Sequence, residues 1–422
     1  MKRDLYNPEK RTWYVDPEAG NDASDGRDPS RPVRNYVSRD IVAGDTVLFK
    51  RGSVIRERLH TRPGQPGRPV RYGAYGTGEN PVFLGSVAAN APGDWCEVRT
   101  NVWRYARPLA SEVCNLVFDG GKACGTLRWQ LEELRDAGDW HDTSFGVSSA
   151  AESAGGPAWQ GSELYLCSEK NPALAWSGIE CVFWGERKLV DGCHLILEHL
   201  CFENAGVHGY QEFGAQDVVM RRCAFRFIGG AVWNRERKIR FGNAIEFWDG
   251  ARDITVEDCR FDNIYDSGVT HQGGGTTHVP ERLYFRHNQF SNYGMAAYEC
   301  REPSREVYFE YNTCHDAGCG FSMLGVTPPR QSEIWPQPMG HHVFIWRIDP
   351  GTQPGKVYIR YNTFGAAPHG AAIYSIIDPA DEAKVVIDGN RYGPPTGSAR
   401  IHLGGRFHGA DEFVPKGTFG ST

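Results

Sequence analysis

Two glutamates sit inside otherwise apolar, strand-like runs: Glu246 in "NAIEFW" and Glu299 in "AAYECR". A pair of carboxyl groups can cut a glycosidic bond. At about 6.5–9.5 Å apart, one protonates the leaving oxygen while the other activates a water; at about 5–5.5 Å the second attacks directly. Asp266, in "IYDSGVTHQGGG", is a third carboxylate. It is placed either to raise a neighbour's pKa by like-charge repulsion or to bond the backbone of its own turn. The same stretches also hold the parts of a lyase. His271 would be the base, Tyr298 or Tyr265 the acid, and Arg301 the group that neutralises a sugar carboxylate so that the adjacent proton can leave. Trp248 offers a stacking surface for a sugar ring, and Gln211, Thr270, Gln272 and Tyr298 offer hydrogen bonds. Arg240, in the basic insertion "WNRERKIRFG", and Trp335, in the longest insertion, would reach substrate from flanking loops. The competing reading makes these glutamates solvated strand residues, Arg301 a salt-bridge partner and the basic insertion a solvated loop.

What would hold such residues in place is a repeat. From about residue 193 one pattern recurs: "HLILEHLCF", "DVVMRRCAF", "DITVEDCRF", "RLYFRHNQF", "EVYFEYNTC", "KVYIRYNTF", "KVVIDGNRY". Each copy alternates apolar and polar residues, the period of a strand. The copies end on Phe202, Phe225, Phe261, Phe290, Cys314, Phe364 and Tyr392. Two positions earlier stand Leu200, Cys223 and Cys259, then Asn288, Asn312, Asn362 and Asn390, suited to an interior ladder. The spacing fits a unit of about 23 residues with loop insertions, one coil of a parallel β-helix. Each coil then offers a further strand. Tyr210, Ile245, Val269, Tyr298, Phe321, Ile373 and Ile401 are expected inward, and Gln211, Glu246, Thr270, Glu299, Ser322, Tyr374 and His402 outward. Alternation also puts Phe213, Trp248, Gln272 and Arg301 outward, beside a small-residue strip of Gly209, Ala244, Gly268 and Ala297. His271 would turn outward only at a bulge. Coils stack about 4.8 Å apart, so Glu246 and Glu299, two coils apart, have backbones roughly 9–10 Å from each other. That suits an inverting hydrolase better than a retaining one.

The first part of the chain carries a likeness. "YVDPEAGNDASDG", "GDTVLFKRGS" and "YGAYGTGENP", with "ELYLCSEKNPALAWSGIE" further on, resemble phrases of secreted bacterial right-handed parallel β-helix proteins of the pectate-lyase-like superfamily. The resemblance implies an all-β, right-handed parallel β-helix and a carbohydrate-active protein. It leaves the chemistry open, since a shared fold hosts many activities. The NTD, DD, GHG and RIK motifs of polygalacturonase-type hydrolases, the DPHD of alginate epimerases and the RxPxxR of pectate lyases are all missing, so no catalytic residue transfers by motif. The expected organisation is a cap and first coils over residues 1–89, a β-rich insertion over 90–190, and main coils over 191–422 with long loops at 233–242 and 325–355. "LRWQLEELRDAGDW" within the insertion has the spacing of a short helix.

Composition narrows the classes further. Fifty glycines and twenty-five prolines among 422 residues mean frequent turns and little long helix. A net charge of -6, spread along the chain, argues against a nucleic-acid binder or a polybasic membrane tether. No apolar run reaches spanning length. The opening "MKRDLYNPEKRTWYVD" has no apolar stretch behind its basic residues and does not read as a secretory signal. As it stands, this points to the cytoplasm, or to export if a leader has been removed. The twelve cysteines form no CxxC pair and are expected as reduced, mostly buried thiols. Adjacent His341 and His342 lack ligand spacing, so no metal or cofactor is expected, although scattered acids could build a calcium site. The expected partner is a polysaccharide or oligosaccharide, possibly an acidic one. The favoured reading is an inverting glycoside hydrolase; the alternatives are a lyase on a uronic-acid polymer and a non-catalytic glycan-binding coil.

Overall fold

The computed structural model describes residues 11–149, 159–185, 187–273, 278–302, 304–319, 321, 340–345, 356–365, 367–368, 372–378, 384–393 and 401–408. Its frame is a parallel β-helix with three strands per coil, stacked into three long sheets. The first sheet has ten strands, from Thr12–Val15 to Val385–Asp388; the second has nine, from Val54–Ile55 to Arg391–Tyr392. The third sheet also has nine. It includes His208–Phe213, Ile245–Trp248, Ser267–Gln272, Ala296–Cys300, His341–Ile345, Ala372–Ile376 and Ile401–Leu403, and closes on the antiparallel Arg406–His408.

Register follows the residues that share a slot. Phe83, Phe202, Phe225, Phe261 and Phe290 form one interior stack, with centroids 4.5–5.7 Å apart. Beside it runs the asparagine ladder. Asn312 Oδ1 accepts from the Asn288 amide at 2.9 Å, Asn362 Oδ1 from Asn312 at 2.9 Å, and Asn390 Oδ1 from Asn362 at 2.8 Å. These contacts satisfy buried backbone at a corner where no strand partner is available. Cys223, Cys259 and Cys314 fill interior slots of the same coils as free thiols.

The corners are made by single residues in the left-handed region. His199, Arg222, Asp258, His287, Tyr311 and Tyr361 turn the chain between the first and second sheets; Asn204, Phe227, Asn263, Asn292 and Asp316 lie near the second sheet's exit. Phe227 is the costly member, since a bulky residue at positive φ is disfavoured by about 1–2 kcal/mol. Its ring reaches the insertion: a Cβ on Gly121 would lie 2.5 Å from Phe227 Cζ.

Residues 86–183 leave the coil as two mainly antiparallel sheets with a core of their own. The stretch around Leu127–Trp140 is not a helix of useful length. It is one 3-10 turn, Leu131–Glu133, followed by the strand Asp139–Asp142. The reason is local: Glu133 accepts the Trp129 and Gln130 amides, and Asp139 accepts those of Arg135 and Asp136. The carboxylates thus bind backbone donors in tight turns rather than leaving them to a helical ladder.

Two register expectations change. The coil after Glu299 continues with His341–Ile345, Val343 pairing with Tyr298 and Phe344 with Glu299. Phe321 instead packs with Val117, Val182, Phe227 and Tyr265, where coil and insertion meet; Ser322 lies outside the described residues. One coil later Tyr374, not Ile373, is inward. It pairs with Val343, and its hydroxyl meets that of Tyr392 at 2.8 Å, leaving Ser375 on the outward row.

Candidate functional site

The third sheet sets Gln211, Glu246, Thr270 and Glu299 side by side as register partners, with Phe344, Ser375 and His402 continuing the row. Glu246 and Glu299 are 3% and 1% exposed, so the row lies under cover rather than in open solvent. Two residues further along the cover thins on three of these strands, while Gln272 on the fourth stays buried. Phe213 is exposed, Trp248 half-buried and Arg301 exposed, and these form the accessible edge.

Glu246 is surrounded by donors. Gln211 Nε2 donates to Oε2 at 2.7 Å, Asn243 Nδ2 to Oε1 at 3.2 Å, and Gln272 Nε2 to Oε1. His208 Nε2 lies 2.8 Å from Oε2. The Asn243 amide N–H approaches His208 Nδ1 at 3.1 Å and fixes the ring beside Glu246. Burial works to raise the pKa of Glu246. The opposing pull of His208, with Trp248 and Arg187, outweighs it and leaves the carboxyl below its ordinary value. Glu246 is therefore a held anion. The donors are themselves pinned: Asn243 Oδ1 accepts from the Ser267 amide at 2.9 Å, and Gln272 Oε1 from Arg301 Nη1 at 2.9 Å.

Glu299 has different surroundings. Ser267 Oγ donates to its Oε2 at 2.9 Å, and Arg301 Nε lies 3.7 Å from its Oε1. Asp266, at the corner leading into the same sheet, accepts the Gly242 amide at 3.2 Å and so ties two adjacent coils together. Thr270 stands between the two glutamates, fully buried.

Other candidates are placed elsewhere. His271 and Tyr298 are inside the coil with no bulge to turn them out, and His271 Nε2 meets the Tyr298 hydroxyl at 2.8 Å. Burial pushes the imidazole's pKa down, but Cys300 and Glu302 beside it win and carry it up to about 10. Arg240 does not face a groove. It is completely buried, donating to Gly230 O at 2.6 Å, Cys114 O at 3.0 Å and Asn115 Oδ1 at 2.7 Å, and so bolts the insertion to the coil. Trp248 has little open face. Phe213 stacks on one side at 6.0 Å, and a Cβ on Gly273 would lie 2.2 Å from its Cε3. The free ring at this edge is Phe213. Trp335 lies outside the described residues. Among the described residues no group of three or more His, Cys, Asp or Glu side chains could hold a metal ion.

The small-residue strip faces inward rather than along the outside. A Cβ on Gly209 would lie 2.8 Å from Phe225 Cδ1, and one on Gly268 2.6 Å from Phe290 Cδ1. The residues are small because the phenylalanine stack occupies that space. Alternation slips by one where the chain rounds the corner into the third sheet. The positions three before the glutamate row therefore turn outward: His208, Asn243, Ser267 and His341. Strict alternation hides them, yet their signal is present as a polar residue at the same offset in four coils, with Ala296 and Ala372 standing there in two others.

No protein-family model matches the chain, and no curated protein matches it. Among solved structures, the GH136 lacto-N-biosidase from Eubacterium ramulus superposes with a TM-score of 0.50 at 14% identity, over 93% of this chain and 57% of that one. The chain thus spans a little over half the length of that protein. A glycoside hydrolase (TM-score 0.46, 11% identity, 96% and 97% covered) and a rhamnogalacturonan lyase (0.35, 12%, 95% and 86%) also match. At these identities the likeness is one of fold, the parallel β-helix.

Proposed function

We propose that the protein is a polysaccharide-degrading enzyme, a glycoside hydrolase of the inverting type with Glu246 and Glu299 as its carboxylate pair. The observation that carries this reading is the unlike treatment of two buried carboxyls on one outward row. Glu246 is held as an anion by convergent donors, whereas Glu299 meets a serine hydroxyl and the edge of Arg301. Glu246, the held anion, suits the base, which leaves the role of acid to Glu299. Glu299 protonates the leaving oxygen. Glu246 takes the proton of a water that replaces one of its amide donors. A two-coil separation leaves room for that water. Phe213 and Arg301 flank the entrance.

A lyase would need His271 or Tyr298 at the substrate and Arg301 available for a uronate. The two rings are interior, and Arg301 is engaged with Gln272 and Glu299. The test is a panel of polysaccharides read together for new reducing ends and for the ultraviolet absorbance of an unsaturated uronate. The hydrolase reading expects reducing ends without absorbance, inverted anomeric configuration in the first product, and loss of turnover in Glu246→Gln and Glu299→Gln. Full turnover in both variants, or an absorbing product, refutes it.

A further inference from the structure

Two buried polar atoms lie beside Glu299 on the outer side of the sheet. Thr270 Oγ1 and His341 Nδ1 are both fully buried and have no hydrogen-bond partner among the described residues. Leaving a buried hydroxyl or imidazole nitrogen unpaired costs about 1–3 kcal/mol, and such atoms in a folded protein call for a specific explanation. These two are neighbours in the fold. Thr270 pairs with Glu299 from the coil before, and His341 pairs with Ala296, three residues from Glu299, from the coil after. Both turn to the outer side of the sheet. Thr270 is on the glutamate row, and His341 stacks on the outward Phe344 at 4.8 Å while its neighbour His342 bonds the interior Tyr293 hydroxyl. Two unpaired atoms thus bracket the proposed acid.

We propose that Thr270 and His341 are the hydroxyl-binding groups of a subsite for one neutral sugar ring, seated over Glu299 and extending toward the coils that follow it. This rests on the hydrolase reading above. The patch spans two coil spacings, roughly 9–10 Å, the reach of one pyranose with its hydroxyls. A sugar hydroxyl both donates and accepts, so it can complete a threonine hydroxyl and an imidazole nitrogen alike. Burial, with His402 and His342 nearby, takes the pKa of His341 down to about 3, so the ring offers no charge to an anion. Glu246, Glu299 and Asp266 stand close by, Arg301 is shared between Glu299 and Gln272, and Arg240 is locked in the interior. The site therefore selects against a carboxylated sugar. Sites built to bond a hydroxyl discriminate strongly, because the wrong ligand leaves their own buried groups unpaired.

The test uses the full chain carrying Glu299→Gln, so that binding is read without turnover. Glucose, galactose, xylose and N-acetylglucosamine are titrated, with galacturonic acid as the charged comparison, by calorimetry and saturation-transfer NMR. At least one neutral sugar is expected to bind and galacturonic acid to bind more weakly. Adding Thr270→Val or His341→Phe should weaken the neutral sugar about tenfold each, with Thr270→Ser restoring it and thermal midpoints matched among the variants. The subsite is refuted if Thr270→Val and His341→Phe bind the sugar as tightly as their parent, if galacturonic acid binds best, or if no sugar binds a chain that cleaves glycan. Glu246- and Glu299-dependent cleavage with unaltered binding in these variants removes the subsite and leaves the hydrolase. Sugar binding that needs Thr270 and His341 in a chain without cleavage does the reverse.

Discussion

Glu246→Gln is usually chosen as a silent isostere, but here it replaces an acceptor oxygen by a donor inside a ring of donors. Where the new NH2 lies beside Oε1's former partners, it meets Asn243 and Gln272. Neither can flip, because their carbonyl oxygens are occupied by the Ser267 amide and by Arg301. On the other side it meets Gln211, whose amide can turn over, and His208, whose Nδ1 is already held by the Asn243 amide. The least unfavourable arrangement therefore leaves one buried donor facing another, a loss of about 1–3 kcal/mol. That corresponds to a fall in thermal midpoint of roughly 1–3 °C for a chain of 422 residues. The sign with pH follows from the depressed pKa of Glu246. Its stabilising contribution is complete above the unfolded value of about 4.3 and is lost as pH falls through the lower folded value. The gap between wild type and variant should thus be full above about pH 5 and narrow progressively as pH falls from there through the depressed folded value. Differential scanning fluorimetry from pH 3 to pH 8, paired with turnover on the identified glycan, reads both effects. A variant as stable as wild type at neutral pH would mean that Glu246 is not held as an anion by donors, and the division of acid from base would fall with it.

The ladder and the interior histidine give further expectations. Asn312→Ala leaves two buried backbone groups unpaired, the Asn288 amide at 2.9 Å and Phe285 O at 3.0 Å, and also removes the side-chain bonds to Asn288 and Asn362 at 3.1 Å each. It should cost about 2–6 kcal/mol, seen as an early thermal transition confined to the later coils, and an unchanged melt would show that the ladder follows the fold without supporting it. His271, with a folded pKa of about 10, should stay protonated across the neutral range. Its stabilisation is full below the unfolded value of about 6.5 and is lost as pH rises through about 10. An imidazole NMR signal that titrates between pH 6 and 8 would contradict this.

Much of the frame was legible in the residues. The recurrent end residues and the asparagines at fixed offset specify an interior slot, and a slot that recurs at coil spacing can be stacked only one way. Glu246, Thr270 and Glu299 fall on one row for the same reason: alternation is a local property of an extended strand. What alternation could not reveal is what happens at a corner, where two successive side chains turn to the same side as the chain enters the third sheet. The slip turned the glycine and alanine strip inward against the phenylalanine stack and brought His208, Asn243 and Ser267 out to the glutamates. Loop identity was also beyond a one-dimensional reading. "CGFSML" and "HHVFI" have similar strand character, and the choice between them depends on Phe321 finding partners on the insertion. The repeat, the parallel β-helix and the row that carries the carboxylates could be read from the residues, because these depend on spacing along the chain. Which polar groups face that row, that Arg240 is a buried bolt and that His271 is interior emerged from the folded chain alone, because those depend on segments far apart in sequence competing for the same space.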